Sequence, residues 1–145
     1  MTTEPVVEAA TGGIERPLLD RPVGELMTTP PVFADPEQTV RTIAQAMASE
    51  GVGSLILIRP DGPSAIVTER DLVQAVADGI DPDTTWAVEV ASDGLVSVSP
   101  EDSVAEAVEE MVNLGIRHLP VKVGGTVIGL VSAGDLLVAI ASERS

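Results

Sequence analysis

The chain of 145 residues carries a formal charge of −15, no cysteine and only two aromatic side chains, Phe33 and Trp86. That balance repels a nucleic-acid duplex, offers no stacking platform for single strands, and excludes disulfide and thiolate chemistry. No apolar run reaches the roughly 18 residues of a membrane span, and the N-terminus lacks a basic start followed by an apolar stretch, so the sequence predicts a cytoplasmic protein with no membrane contact.

Residues 1–20 have no sustained hydrophobic period and read as a flexible tail. A short helical segment is expected over Pro22–Met27, then a brief strand near Val32. The next helix is expected to start at Asp35 as N-cap, with Pro36 first and Glu37 second. Its apolar face is Val40, Ile43, Ala44 and Met47, and Gly51 ends it. A strand over Ser54–Ile58, a turn at Pro60–Asp61–Gly62–Pro63 and a second strand ending at Thr68 follow. Asp71 then opens an amphipathic run, Leu72–Val73–Ala75–Val76, and the Asp–Gly and Asp–Pro turns of Asp78–Thr85 make a connector.

After the connector the pattern returns. An offset of 64 residues aligns 22–76 with 86–140 without a gap, and 12 of the 55 positions are identical. Trp86–Ala91 is the second short helix, and Val96 marks the second brief strand. Ser99 and Pro100 match Asp35 and Pro36, with Val104, Ala107, Val108 and Met111 as the apolar face and Gly115 as its end. His118–Val123 and a strand ending at Ser132 flank Gly124–Gly125, a tight antiparallel hairpin. Asp135 opens the last amphipathic run, Leu136–Leu137–Ala139–Ile140. Residues 21–80 and 81–145 are therefore two β-α-β-β-α repeats of an α/β (α+β) fold. A copy of this size is marginal alone, so the two are expected to pack sheet against sheet as one pseudo-twofold domain.

Thr68-x-x-Asp71 and Ser132-x-x-Asp135 each place a hydroxyl and a carboxylate where a strand feeds a helix. Such a pair satisfies orphan amides as a capping box. The same helix mouth, with its partial positive charge, also suits a bound anion, and a carboxylate there accepts hydrogen bonds from ribose hydroxyls. Arg117 precedes His118, the one histidine, at a strand start. They are read either as a surface arginine beside a packed histidine or as phosphate donors. Enzyme readings find little support, since a Ser–His–Asp set would need His118 to meet a serine by accident of folding. Asp78, Asp81 and Asp83 do not have EF-hand spacing, no metal-ligand cluster is evident, and Glu106, Glu109 and Glu110 read as a solvated helix side.

The doubled unit, with strands ending in small–hydrophobic–hydrophobic–[Ser/Thr]-x-x-Asp, resembles a tandem cystathionine-β-synthase (CBS) domain pair, the Bateman module. The resemblance is carried by Val23–Gly24–Glu25–Leu26–Met27–Thr28, by Gly115–Ile116–Arg117–His118–Leu119–Pro120–Val121 and by the two junctions, and covers about residues 22–142. The first copy departs from the family pattern with Ala65 in place of a glycine and with Gly53–Ser54 where the second has Arg117–His118. The resemblance implies a free-standing, non-catalytic regulatory module that binds AMP, ADP, ATP or S-adenosylmethionine, with no required cofactor. It also implies a homodimer and an unidentified regulated protein as partners. Its implied sites cross between repeats: Thr68 and Asp71 with Leu95, Val96, Arg117 and His118, and Ser132 and Asp135 with Thr28, Val32 and Ser54. In that grouping the first site holds phosphate better. The competing reading is a ligand-independent dimerisation or interaction scaffold.

Overall fold

The computed structural model describes residues 17–60, 64–92 and 96–143. Most of the expected tail, the centre of the first hairpin turn and Leu95 lie outside them. Among the described residues the fold is mixed α/β, with five helices and two small sheets. None of these helices is long and apolar enough to cross a membrane.

The first sheet orders β1 (Phe33–Ala34), β2 (Ser54–Leu57) and β3 (Ala65–Thr68), with β1 parallel and β3 antiparallel to β2. Helices α1 (Val40–Glu50), α2 (Glu69–Ala77) and the short α3 (Ala87–Val90) accompany it. The second sheet pairs β4 (His118–Val123) with β5 (Thr126–Ser132), alongside α4 (Val104–Leu114) and α5 (Ala133–Glu143). The expected second brief strand is a single parallel bridge between Val98 and Val121. Gly124 and Gly125, at φ of 58° and 84°, close the β4–β5 hairpin, a backbone that glycine adopts without a Cβ clash.

The chain forms two compact units that do not coincide with the two sequence repeats. One is Thr29–Ser97, and the other joins the segment ending at Thr28 to Val98–Ser145. The reason lies in backbone hydrogen bonds at the helix starts. Val40 N donates to Thr85 O at 2.9 Å and Ala87 N to Gln38 O at 2.7 Å, so the opening segment of the second repeat covers the start of α1. In the other unit Val104 N donates to Arg21 O and Val23 N to Asp102 O, both at 2.8 Å, so the opening segment of the first repeat covers the start of α4. Four amides at each helix start need such partners.

Helices α1 and α4 begin four residues later than the sequence reading placed them. Their N-caps are Thr39 and Ser103, whose hydroxyls accept from the amides of Thr42 and Glu106. Asp35 and Ser99 instead begin turns, in which Gln38 N donates to Asp35 O and Asp102 N to Ser99 O. Ser103-x-x-Glu106 is itself a capping box, with Ser103 N donating to Glu106 Oε1 at 2.8 Å. Both helices end as expected, at Gly51 and Gly115 in the left-handed region.

Each unit has its own core. In the first, Ile43, Met47, Leu55, Leu57, Ala65, Val67 and Ala87 pack together; in the second, Val23, Val98, Val104, Ala107, Met111, Leu119, Val121, Val131 and Leu136 do so. The apolar face of α1 is shifted from the one expected, because Ala44 is exposed while Ala46 packs against the core. The runs after the junctions are also split: Leu72 and Ala75 turn inward, whereas Val73 and Val76 are 69% and 67% exposed.

Candidate functional site

Both junctions have the same local geometry. At the first, Thr68 N donates to Asp71 Oδ2 at 2.8 Å, Asp71 N donates back to Thr68 Oγ1 at 3.2 Å, and the Thr68 hydroxyl donates to the same Oδ2 at 3.0 Å. At the second, Ser132 N donates to Asp135 Oδ2 at 2.8 Å and Asp135 N to Ser132 Oγ at 3.1 Å. The capping reading of the sequence is therefore correct at both. It uses one carboxylate oxygen of each aspartate, and Oδ1 takes no part in the box. All four side chains are half-buried.

A backbone tie holds each junction against the start of its own hairpin. Glu69 N donates to Gly53 O at 3.0 Å, and Ala133 N to Arg117 O at 2.9 Å. Strand register sets Ser54 opposite Thr68 and His118 opposite Ser132. Directly opposed residues of an antiparallel pair share a face, with Cβ atoms about 5 Å apart. Ser54 is buried and His118 half-buried.

The site residues expected from sequence are thus distributed as follows. The Thr29–Ser97 unit brings Ser54 to Thr68 and Asp71, and its Val32 carbonyl accepts from Ile56 N at 2.9 Å within the sheet. Val96, of the same unit, is exposed, and Leu95 lies outside the described residues. The other unit brings Arg117 and His118 to Ser132 and Asp135, and ties Thr28 to Leu130 by two backbone bonds of 2.7 and 3.0 Å. The expected grouping of Arg117 and His118 with Asp71, and of Ser54 with Asp135, draws on both units, whereas the register within each unit sets His118 beside Ser132 and Ser54 beside Thr68. Each hairpin carries its own flanking residues to its own aspartate.

Gly53 and Ala133, which supply the ties, were missed by sequence reasoning. The signal was available, since the residue before a hairpin's first strand must meet the residue after its second. Among the described residues no group of three or more His, Asp or Glu side chains is placed to hold a metal ion.

The family model for the CBS domain matches residues 23–78 and 87–142. The uncharacterized protein MK0525 of Methanopyrus kandleri is 38% identical over 118 residues, covering 79% of this chain and 60% of that protein. The CBS domain-containing protein YhcV of Bacillus subtilis is 32% identical over 124 residues, covering 85% of this chain and 88% of its own length. Among solved structures, the CBS domain protein PAE2072 from Pyrobaculum aerophilum, complexed with AMP, superposes with a TM-score of 0.73 at 32% identity, covering 83% of this chain and 98% of that one.

Proposed function

The chain belongs to the CBS-domain family, and we propose that it is a regulatory, non-catalytic module whose two junctions bind adenosine-type ligands. One observation carries this reading: both strand-to-helix junctions hold the same hydroxyl–carboxylate pair at a helix start, with Oδ1 of each aspartate outside the box. Held beside helix-start amides, that oxygen accepts from a ribose hydroxyl while the amides and nearby cations receive phosphate. The AMP complex of the 32% identical PAE2072 supports the same ligand class.

The two junctions differ in their flanking residues, and with them in the ligand each suits. Arg117 and His118 flank Ser132 and Asp135, whereas Gly53 and Ser54 flank Thr68 and Asp71, where the cation in the box is Arg70 of the first helical turn. The Ser132–Asp135 junction is therefore the phosphate-bearing one, suited to AMP, ADP or ATP. The Thr68–Asp71 junction suits a ligand without phosphate, such as the nucleoside portion of S-adenosylmethionine. Thr28, Val32, Leu95 and Val96 complete the proposed lining. The protein acts in the cytoplasm as a homodimer that reports ligand to a regulated partner.

Thermal shift with AMP, ATP and S-adenosylmethionine tests this. A ligand at 100 times its dissociation constant stabilises by about 2.7 kcal/mol. Asp135→Ala and Arg117→Ala should each weaken AMP about tenfold or more, since a hydrogen bond to a charged group contributes roughly 1.5–3 kcal/mol, while Asp71→Ala leaves AMP binding near parent. No shift with any of the three ligands, or loss of AMP on Asp71→Ala alone, overturns the assignment. Turnover of the nucleotide would make the protein an enzyme instead.

A second reading, a ligand-independent dimerisation scaffold, draws on exposed apolar residues of α2 and α5. Val73, Val76, Leu137 and Val138 are each at least 67% exposed. Exposed apolar clusters of this kind mark association surfaces. A dimer that persists unchanged with and without ligand, and ignores all three ligands, selects this reading.

A further inference from the structure

An open groove of about 690 Å³ lies wholly within the Thr29–Ser97 unit. It sits beyond Leu57, at the end of the sheet opposite the Ser54–Thr68 pair, and so is separate from the junction site. Phe33, Ile58 and Val88 make its apolar lining, and Asp35, Glu37 and Arg59 are its charged members. Phe33 is 43% exposed and Ile58 50% exposed.

The fold does not require these two side chains. At the matching positions 64 residues on, the second repeat holds Ser97 and Lys122, within the same helix–strand–strand order. Apolar bulk kept in water on one copy, and replaced by polar residues on the other, points to use by something that binds. The groove also borders a sheet edge: among the described residues β1 pairs only with β2. Since the carbonyls of Val32 and Ala34 accept from Ile56 and Ile58, the N–H and C=O of Phe33 point away from β2.

We propose that this groove binds an extended segment of a partner protein in which apolar residues alternate with Lys or Arg. An extended segment suits an edge strand and places alternate side chains on the apolar lining. Basic residues suit a lining with two carboxylates against one guanidinium, on a chain of charge −15.

Methyl-detected NMR of the full chain tests the proposal with two blocked heptapeptides, one of alternating Lys and Val and one of alternating Glu and Val. The Lys peptide should shift the Ile58 and Val88 methyls saturably, and the Glu peptide should not. Phe33→Ser and Ile58→Lys adopt the second repeat's residues, and each should weaken the Lys peptide at least tenfold while leaving the thermal shift with AMP at its parent value. Absence of saturable groove shifts at millimolar peptide overturns the proposal. So does an equal response to both peptides, parent-like binding by the variants, or groove shifts that grow with protein concentration alone.

Discussion

Replacing Gly129 by alanine tests how the segment ending at Thr28 is clamped to its unit. A Cβ at Gly129 would come within 2.7 Å of Met27 Sδ and 2.9 Å of the Thr28 carbonyl oxygen. Met27 can turn aside, but the Thr28 carbonyl is backbone, bonded to Leu130 N at 3.0 Å, with Thr28 N to Leu130 O at 2.7 Å. The corresponding bridge in the other unit carries Ala65 and Ala91 in place of Gly129 and Met27. Its bonds are longer, 3.2 Å for Ile66 N to Ser92 O and 2.9 Å for Ser92 N to Ile66 O. The fold thus accepts glycine against methionine, or alanine against alanine with slightly longer bonds. Gly129→Ala alone should destabilise by about 2–3 kcal/mol, from overpacking of about 1–3 kcal/mol and weakening of the bridge by up to about 1 kcal/mol. Met27 is half-buried, so Met27→Ala alone should cost about 1–2 kcal/mol. The double variant restores the arrangement of the other unit and should cost little more than Met27→Ala, a coupling of about 1–2 kcal/mol. Urea melts of the four proteins measure this, given equal slopes. A Gly129→Ala cost below about 0.5 kcal/mol, or additive single costs in the double variant, would refute the reasoning.

Three further outcomes follow from the caps, the connector and the unit boundaries. Thr68→Ala and Ser132→Ala each remove a hydroxyl that accepts from the aspartate amide, and each should lower stability by about 1 kcal/mol in denaturant melts, with Thr68→Ser near parent. Arg41 bonds Asp83 across the connector, Nη2 lying 3.1 Å from Oδ2, and holds the Asp83 carboxyl below its ordinary value of 3.8. The folded value lies under the unfolded one, so this stabilisation is full above about pH 4 and is lost as pH falls through the lowered value. Asp83→Asn should flatten that acid limb of the stability–pH curve, and high salt should shrink the difference because both groups are exposed. A fragment spanning 29–97 keeps Thr85 and Ala87 on the start of α1, so it should show a higher urea midpoint than one spanning 21–80. Equal midpoints would separate the opening segment from the stability of that unit.

Much of the local structure was legible because its causes are local. Gly51 and Gly115 end helices since a left-handed residue without a Cβ satisfies the last carbonyls. Gly124–Gly125 makes the hairpin, and the two junction boxes form from residues three apart. The helix starts were misplaced because two N-cap signals compete within five residues. Asp35–Pro36 is the stronger pattern by composition, but Thr39 and Ser103 win because Thr85 and Arg21 arrive to take the amides of Val40 and Val104. Those partners lie far along the chain, and no window of sequence around α1 or α4 contains them.

The sequence by itself determined the doubled β-α-β-β-α unit, its turn chemistry and the hydroxyl–carboxylate pair at each strand-to-helix junction, because each depends on side chains a few positions apart. Which residues stand beside those pairs was decided by tertiary structure. Counting outward from Gly124–Gly125 without a bulge would set His118 opposite Val131, on the wrong face. A register shift between Val121 and Lys122 skips Ile128 and moves His118 opposite Ser132. Likewise, the exchange of opening segments between the repeats follows from backbone amides at the helix starts finding carbonyls distant in sequence. A hydrogen bond satisfied at long range leaves no periodic trace in the chain that makes it.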